Sequence, residues 1–455
     1  MTDQRNQAPA TLHSTTASAA QPGQLAARHH ALSQPHPPEH AGPSRKVVAA
    51  TVAGNALEFY DFVTYAFFAV YIGRTFFPAT DALTTLLLSV AVFGVGFVSR
   101  PLGGVLIGAY ADRVGRRPAM LLTIALITVG TLGLAITPGY AQIGVAAPVI
   151  VVLCRLVQGL ALGGEVGPST AFLIEAAPPG RRGLFGSWQL GSQGLATLVA
   201  GLLGMGLSAS LSQEQLQSWG WRLPFALGLL LIPLAIYLRR AMPETQQQHA
   251  EVSNASWADL RRHGRLILLA MLVVLGGTVA TYVSNYMTTF AITTLQLPAT
   301  TAMAATVIVG LMTFVFALLG GWLCDRWGRK ALMIWPRLLA SLIAYPAFLW
   351  MAERGDAIAL LITSALLAAL GALSGAASLV AIPELLPGRI RALGMSVIYA
   401  VGVAIFGGST QFVITWLIAV SGSAAAPALY LTATGLLAVL GMALMPEGRG
   451  RKLEH

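Results

Sequence analysis

Apolar residues are gathered into twelve long stretches, and most polar and charged residues lie between them. Each stretch has about 20 residues or more, the length that an α-helix needs to cross a bilayer. The connections are mostly short and are often marked by Pro or Gly. The predicted spans, numbered 1 to 12 along the chain, are 47–73, 83–110, 119–137, 145–172, 184–208, 221–239, 265–292, 300–323, 331–352, 357–379, 393–420 and 425–445. This pattern predicts an all-α membrane protein with twelve transmembrane helices.

The composition agrees with lipid as the main solvent of the chain. Hydrophobic residues make up 55% of the 455 residues and charged residues only 10%, whereas a soluble domain carries about 25% charged residues. The formal net charge of +10 does not indicate nucleic-acid binding, because the basic residues are spread over short loops. One set of loops holds most of them, and the opposite set holds only Arg74, Arg222 and Arg354. This asymmetry predicts that both termini are cytosolic.

Two sequence signals occur twice, at nearly the same offset. Segment 108–117, Gly-Ala-Tyr-Ala-Asp-Arg-Val-Gly-Arg-Arg, is repeated as 321–330, Gly-Trp-Leu-Cys-Asp-Arg-Trp-Gly-Arg-Lys, about 213 positions later. Segment 175–182 is similar to 384–391, about 209 positions later. These repeats predict two pseudo-symmetric six-helix bundles, the plan of a secondary transporter that holds its substrate between two halves.

Polar segments separate the predicted bundles and flank them. The amino-terminal segment is rich in Pro, His and Ser, predicts disorder and lacks the apolar core of a signal peptide. The last three residues resemble a cloning remnant. The predicted organisation is a tail 1–44, a first bundle 45–239, a cytosolic linker 240–264, a second bundle 265–446 and a terminal tail 447–455.

Five ionisable residues lie inside the first four spans: Glu58, Asp61, Arg100, Arg155 and Glu165. A charge at mid-bilayer costs at least about 2.5–3.5 kcal/mol, so each is a candidate for function. The helical rise of 1.5 Å per residue places the first four near the midplane. The alternative is that they form buried ion pairs that fix helix packing.

The two arginines suit a multiply charged anion, because each guanidinium can bind a carboxylate through two hydrogen bonds. The acids Glu58, Asp61 and Glu165 suit proton coupling, since a low dielectric favours the neutral carboxyl group. With the first two acids protonated, the site is net positive and accepts an anion. Protonation and substrate binding are then linked, as symport requires.

Uncharged polar residues in four spans could complete the pocket by hydrogen bonding to substrate oxygens. They could equally connect helices to one another. No buried cation is expected in the second half, which is predicted to contribute hydroxyls, amides and aromatic walls. The candidates are Asn55, Gln189, Gln193, Tyr282, Asn285, Tyr286 and Tyr399.

The repeated loops predict a gate. Their aspartates can accept hydrogen bonds at helix ends, and their arginines can pair with acids across helices, which would latch the outward-open state. The alternative is that they serve only as topological anchors. The gating candidates are Asp112, Arg113, Arg116, Asp325, Arg326 and Arg329.

No metal, cofactor or catalytic site is expected. All eight histidines lie outside the predicted spans, and Cys154 and Cys324 do not indicate a disulfide framework. No Ser/His/Asp or Cys/His constellation is visible, so an enzyme is not predicted. A transporter-like sensor is a remote alternative, because the chain has little sequence outside the spans for a soluble output segment.

Segments 108–117 and 321–330 resemble the signature of the major facilitator superfamily. Segments 54–62, 97–104 and 155–165 resemble the metabolite:proton symporters within it. The similarity extends over nearly all of the chain between the two tails.

Three shorter segments, 138–140, 187–189 and 219–222, are similar to those of citrate and tricarballylate carriers. The resemblance implies proton-driven import of a tri- or dicarboxylate across a bacterial inner membrane by a protein expected to be a monomer. It assigns coupling to Glu58 or Asp61, and by position it assigns anion binding and gating to the arginines and loops described above. Relatives transport α-ketoglutarate, shikimate or zwitterionic osmolytes, which are the alternative substrates.

Overall fold

The computed structural model describes residues 45–114, 116–163, 169–170, 173–174, 177–178, 180–240 and 257–447. Within these ranges the regular structure is helical, and every predicted span coincides with one or more helices. The predicted tails and most of the linker lie outside the described residues, so the division at 240–264 stays a prediction.

The helices follow the predicted spans closely. Short helices outside the spans are Tyr140–Ile143, Gln213–Ser218 and Trp257–Arg262, and the short helix Gly220–Arg222 overlaps the start of span 6. The spans, in order, consist of Arg45–Phe67 with Ala69–Phe76, Ala82–Val98 with Arg100–Val114, Arg116–Ile136, Ala146–Gly163, Arg182–Ser210, Leu223–Leu230 with Ile232–Arg240, Gly264–Thr293, Ala299–Trp327, Arg329–Arg354, Ala357–Leu385, Gly388–Gly402 continued by Val403–Gly407 and Gly408–Ser421, and Ala426–Leu444.

Ten of the described helices are long and apolar enough to cross a membrane, and spans 1 and 6 are the two that fall short. Span 1 is interrupted at Phe68 and carries two acidic side chains, Glu58 and Asp61. Span 6 is interrupted at Leu231, one residue before a helix whose second residue is Pro233. Proline cannot donate its backbone nitrogen to the preceding turn, which accounts for this break.

The halves pack against each other through small residues. A methyl group built on Gly194 of span 5 would lie 2.5 Å from the backbone of Phe314 in span 8. At the far end of the same pair, a methyl group on Gly183 would lie 2.3 Å from the carbonyl oxygen of Gly321. Such contacts let the two backbones approach closely over almost the whole membrane thickness. Spans 5 and 8 therefore form a continuous seam between the halves.

Spans 2 and 11 make a second and more local contact between the halves. A methyl group on Gly94 would lie 2.4 Å from the carbonyl oxygen of Gly408. Just before this contact, span 11 contains a π-helical turn, Val403–Gly407. Such turns occur often at functional sites, and Val403 lines the cavity described next.

Candidate functional site: a cavity between the two halves

A cavity of about 280 Å³ lies between the two halves and is lined by spans 1, 2, 4, 5, 7, 8, 10 and 11. Most of its wall consists of glycine, alanine, threonine, serine and aliphatic side chains. Its size suits a small molecule rather than a polymer. Five of the predicted binding residues line it: Arg100, Gln193, Tyr282, Asn285 and Tyr399.

The cavity extends towards the end of the bundle that carries the loops after spans 2 and 8, which we call the basic face. Gly108 near the end of span 2 and Ile382 near the end of span 10 both line it. In the opposite direction, the Gly94–Gly408 contact brings the halves together. The structure therefore represents a state in which the cavity faces the basic side of the bundle.

A cluster of aromatic rings closes the end of the cavity that lies farthest from the basic face. The ring of Tyr282 lies 5.3 Å from that of Phe97 and 5.9 Å from that of Phe93, measured between centroids. The Phe62 ring lies 5.0 Å from the Phe97 ring. These edge-on contacts join span 7 of the second half to spans 1 and 2 of the first. We call these four rings the aromatic floor.

Arg100 is the basic side chain of the cavity wall. Its guanidinium carbon lies 4.0 Å from the centroid of the Phe97 ring, which favours a cation electrostatically. The residue is only 6% exposed, and its Nε has no hydrogen-bond partner. The close packing of Gly163 in span 4 on the backbone of Arg100 fixes this position. Arg100 thus places a buried guanidinium at the wall of the cavity.

Arg155 lies behind the aromatic floor and outside the cavity lining. Its Nη1 donates to Oε1 of Gln158 at 2.8 Å, and Nε2 of Gln158 donates to Oδ2 of Asp61 at 2.6 Å. The hydroxyl of Thr131 donates to Oδ1 of Asp61 at 2.7 Å. Nε and Nη2 of Arg155 have no partner. An amide therefore links the buried cation to the buried carboxylate.

Gln158 was missed as a functional candidate, although its position gave a usable signal. It lies three residues after Arg155, hence on the same helix face. A neutral amide within a span attracted less attention than the charges around it.

Glu58 and Asp61 border a second cavity, of about 40 Å³, between spans 1, 3 and 6. Thr131 and Leu231, the residue at which span 6 is interrupted, also line it. No described residue lines both this cavity and the central one. The two acids are therefore separated from the space that Arg100 faces. Glu165, the third predicted acid, lies outside the described residues.

Three of the predicted binding residues connect helices instead of lining the central cavity. Nδ2 of Asn55 donates to the backbone carbonyl of Gln189 at 3.1 Å, and Nε2 of Gln189 donates to Oδ1 of Asn55 at 2.8 Å. The hydroxyl of Tyr286 accepts a hydrogen bond from Thr415 at 2.9 Å. Spans 1 and 5, and spans 7 and 11, are joined in this way. The part of these residues in substrate binding stays a prediction.

Asp325, in the second repeated loop, binds the first residues of span 5. Its two carboxylate oxygens accept hydrogen bonds from the backbone N–H groups of Gly183 and Leu184 at 2.8 and 3.0 Å. A carboxylate is favoured at a helix amino terminus, where N–H groups have no partner within the helix. The contact crosses between the halves at the basic face.

Arg329 completes this end of the seam. Its Nε and Nη2 each donate to Glu384 at 2.9 Å, and Nη2 lies 3.5 Å from Asp325. Arg326 is exposed and stacks on Trp322, with 4.1 Å from its guanidinium carbon to the ring centroid.

In the first repeated loop, Arg113 is exposed. The side chains of Asp112 and Arg116 lie outside the described part of the chain. The gating role of all six loop residues stays a prediction.

The expectation that the second half has no buried cation is wrong. Arg329 is 7% exposed, and Arg337, about two turns further along span 9, is 2% exposed. A charge inside a predicted span was the signal that identified Arg100 and Arg155, and the same signal applied to Arg337. Arg337 was overlooked because it lies near the basic loop, and arginines near span ends are common.

Comparison with known proteins identifies the family. The model of the sugar (and other) transporter family matches residues 46–247 and 242–455. The chain belongs to this family of the major facilitator superfamily. The superfamily assignment and the twelve-helix fold predicted from the sequence are thereby confirmed, and the protein is a multi-pass membrane protein.

Several characterised transporters are similar over most of their length. The citrate-proton symporter of Salmonella typhi is 36% identical over 403 residues, covering 88% of this chain and 93% of that protein. The alpha-ketoglutarate permease of Escherichia coli (strain K12) is 35% identical over 422 residues, covering 89% and 95%. A partially occluded inward-open structure of the xylose transporter of E. coli has a TM-score of 0.72 at 20% identity, covering 90% and 99%, which shows the fold alone.

Proposed function

We propose that this protein imports a tri- or dicarboxylate together with protons by alternating access. The observation that carries the proposal is Arg100, a buried guanidinium in the wall of the central cavity, with no carboxylate among the described residues that line it. A carboxylate is a favoured ligand of such a guanidinium. Similarity to a citrate-proton symporter and to an alpha-ketoglutarate permease supports the carboxylate class.

The rest of the cavity wall supports an anion over a cation or a zwitterion. Among the described residues that line it, none is Asp or Glu. Tyr282 and Tyr399 offer hydroxyls and Gln193 and Asn285 offer amides, all of which can donate to carboxylate oxygens. A quaternary or secondary ammonium group would face Arg100 without an acidic partner. Transport of proline or betaine is therefore the less favoured alternative.

Proton coupling follows from the link between Asp61 and Arg155. Gln158 bridges Asp61 and Arg155 by hydrogen bonds. When Asp61 is ionised, its negative charge partly neutralises the positive charge of Arg155 behind the aromatic floor. When Asp61 is protonated, that compensation is lost and the potential at the inner end of the cavity becomes more positive. A bound proton therefore strengthens anion binding, and a bound anion strengthens proton binding by the same factor. Glu58, in the same small cavity, is the second candidate.

Alternating access would exchange the contacts at the two ends of the bundle. The Gly94–Gly408 contact would open while the space near Gly108 closes. The excess of basic residues at the basic face supports a cytosolic location for that face, with both termini inside and the chain in a bacterial inner membrane. The transporter is proposed to act as a monomer.

Binding to the purified protein tests the substrate class. Citrate, tricarballylate and 2-oxoglutarate should each raise the melting temperature, whereas proline and glycine betaine should not. Arg100→Gln should lose the carboxylate response, and Arg113→Gln, a change at an exposed arginine, should keep it. Stabilisation by proline or betaine with no response to any carboxylate would overturn the proposal.

A further inference from the structure

Arg337 is a buried cation without a counter-ion. It lies in span 9 and is 2% exposed, and its Nη1 donates to the backbone carbonyl of Gly276 at 3.1 Å. Its Nε has no partner, and no carboxylate of the described residues lies within 4.0 Å of it. A buried charge in this condition is costly and marks a functional candidate within a membrane span.

The Arg337 side chain packs beside glycines of two neighbouring spans. A methyl group on Gly277 of span 7 would lie 3.9 Å from Nη2 of Arg337, and one on Gly435 of span 12 would lie 3.8 Å from its Cδ. Both are ordinary van der Waals distances, so the guanidinium lies close to span 7 and its stem close to span 12.

The guanidinium stands directly behind the wall of the central cavity. Gly277 lines that cavity, as do its neighbours Thr278 and Thr281 in span 7. Because Gly277 has no side chain, backbone atoms of span 7 are what separates Nη2 from the cavity at this point. Arg100 lines the same cavity from the first half. The cavity is thus flanked by one positive charge from each half.

We propose that Arg337 is a specificity-determining residue that selects ligands with two or more carboxylates over those with one. It acts through space, as a fixed positive charge behind Gly277, while Arg100 binds a carboxylate directly. Two separated cations favour two separated anionic groups, and Coulomb attraction across a poorly solvated wall is strong enough to discriminate. This inference rests on the proposed carboxylate transport and names the substrate class more narrowly.

The test compares two probes that differ in carboxylate number, tricarballylate with three and monomethyl glutarate with one. Dissociation constants are measured by calorimetry on purified wild type and Arg337→Met at one pH and ionic strength. We expect about tenfold weaker binding of tricarballylate and a clearly smaller loss for monomethyl glutarate. The ratio of the two constants is the informative quantity, because a general loss of structure would weaken both equally.

Two further variants separate charge from packing. Arg337→Lys keeps the charge and should keep the wild-type ratio. Ser341→Ala, one turn along span 9, removes a hydroxyl that donates to the Arg337 carbonyl at 2.8 Å and should also keep it. Since Arg337 has no counter-ion, an apolar residue of similar length should leave the melting temperature unchanged or raise it.

Each outcome decides for or against the inference. Equal losses for the two probes, a Lys variant as impaired as the Met variant, or failure of both variants to fold would assign Arg337 a structural role and overturn it. A Met variant with the wild-type ratio would overturn it too, while the proposed function stands. A wild type that binds neither probe but binds proline or betaine would remove the proposed function itself.

Discussion

In the first half, the buried cation Arg155 is linked through Gln158 to the carboxylate of Asp61, whereas in the second half Arg337 has no such partner among the described residues. Both halves nevertheless carry the same loop signal and the same kind of close glycine contacts. The repeat preserved the helices and their packing, while the ionisable groups within the spans diverged. A titratable charge network in one half and a permanent charge in the other predict a different task for each half.

The largest effect on transport is expected from Asp61, whose hydrogen-bonded link to a buried arginine distinguishes the first half. Asp61→Asn removes the titratable group and keeps one oxygen that can accept from Gln158, while its amide nitrogen can donate to the hydroxyl of Thr131. Proton-driven accumulation of citrate in vesicles should be lost, while exchange of labelled for unlabelled citrate continues. Full accumulation by this variant would move coupling to Glu58, and Glu58→Gln measured in parallel identifies that case.

The next effect concerns direct binding. Arg100→Gln should weaken citrate binding by about 30-fold or more, because truncating a buried charged partner costs about 2–5 kcal/mol. Arg155→Gln should also weaken it, with a clear dependence on Asp61, since the two act through Gln158. A double-mutant cycle with Asp61→Asn measures that dependence. Strictly additive effects of Arg155→Gln and Asp61→Asn would contradict the proposed coupling.

A smaller effect tests whether the two loops are equivalent. Asp325→Asn weakens two hydrogen bonds from the start of span 5 and should slow turnover several-fold with little change in citrate affinity. Asp112→Asn tests the matching position of the first loop, and Arg74→Gln, at an exposed arginine outside both loops, is the control. Unchanged turnover in both aspartate variants would leave the loops as topological anchors.

The smallest effect concerns exposed helix caps outside the spans. The hydroxyl and backbone N–H of Thr84 donate to Asp81 and hold the pKa of that carboxyl below its ordinary value. A lowered pKa stabilises the fold above the ordinary carboxyl pKa, near 4, and this contribution is lost as pH falls through the folded-state value. Asp81→Ala should therefore lower the melting temperature slightly at neutral pH and by less at pH 3.

Asp356 offers the corresponding test in the second half. Hydrogen bonds from Arg354 and then from the backbone of Ala359 lower its pKa in the same way. Asp356→Ala should show the same pH dependence as Asp81→Ala. If the decrease in melting temperature of either variant were as large at pH 3 as at neutral pH, the carboxylate charge would not be its cause.

The sequence was sufficient for the fold because helix length and apolarity are local properties. All twelve spans were predicted, and the interruptions at Phe68 and Leu231 are details that hydropathy does not resolve. Depth along a helix was also predictable from the rise per residue. This is why Arg100, Arg155 and Asp61 were recognised as candidates from the sequence.

Direction around each helix was harder to predict. Glu58 and Asp61 share a helix face with a small cavity between spans 1, 3 and 6, and depth alone could not distinguish that face from the central one. Asn55 and Gln189 bond to each other because spans 1 and 5 are neighbours, a tertiary fact absent from either span's pattern. Arg337 could have been identified by the rule applied to the first half, namely that a charged residue inside a predicted span is a candidate for function.

The contact between Gly94 and Gly408 has a practical consequence. Since one added carbon at position 94 would meet a main-chain oxygen at 2.4 Å, Gly94→Ala should prevent the side opposite the basic face from sealing. Such a variant would populate the reverse conformation in the absence of ligand. It would give crystallographers and cryo-microscopists a stalled form of the transport cycle obtained by a single substitution.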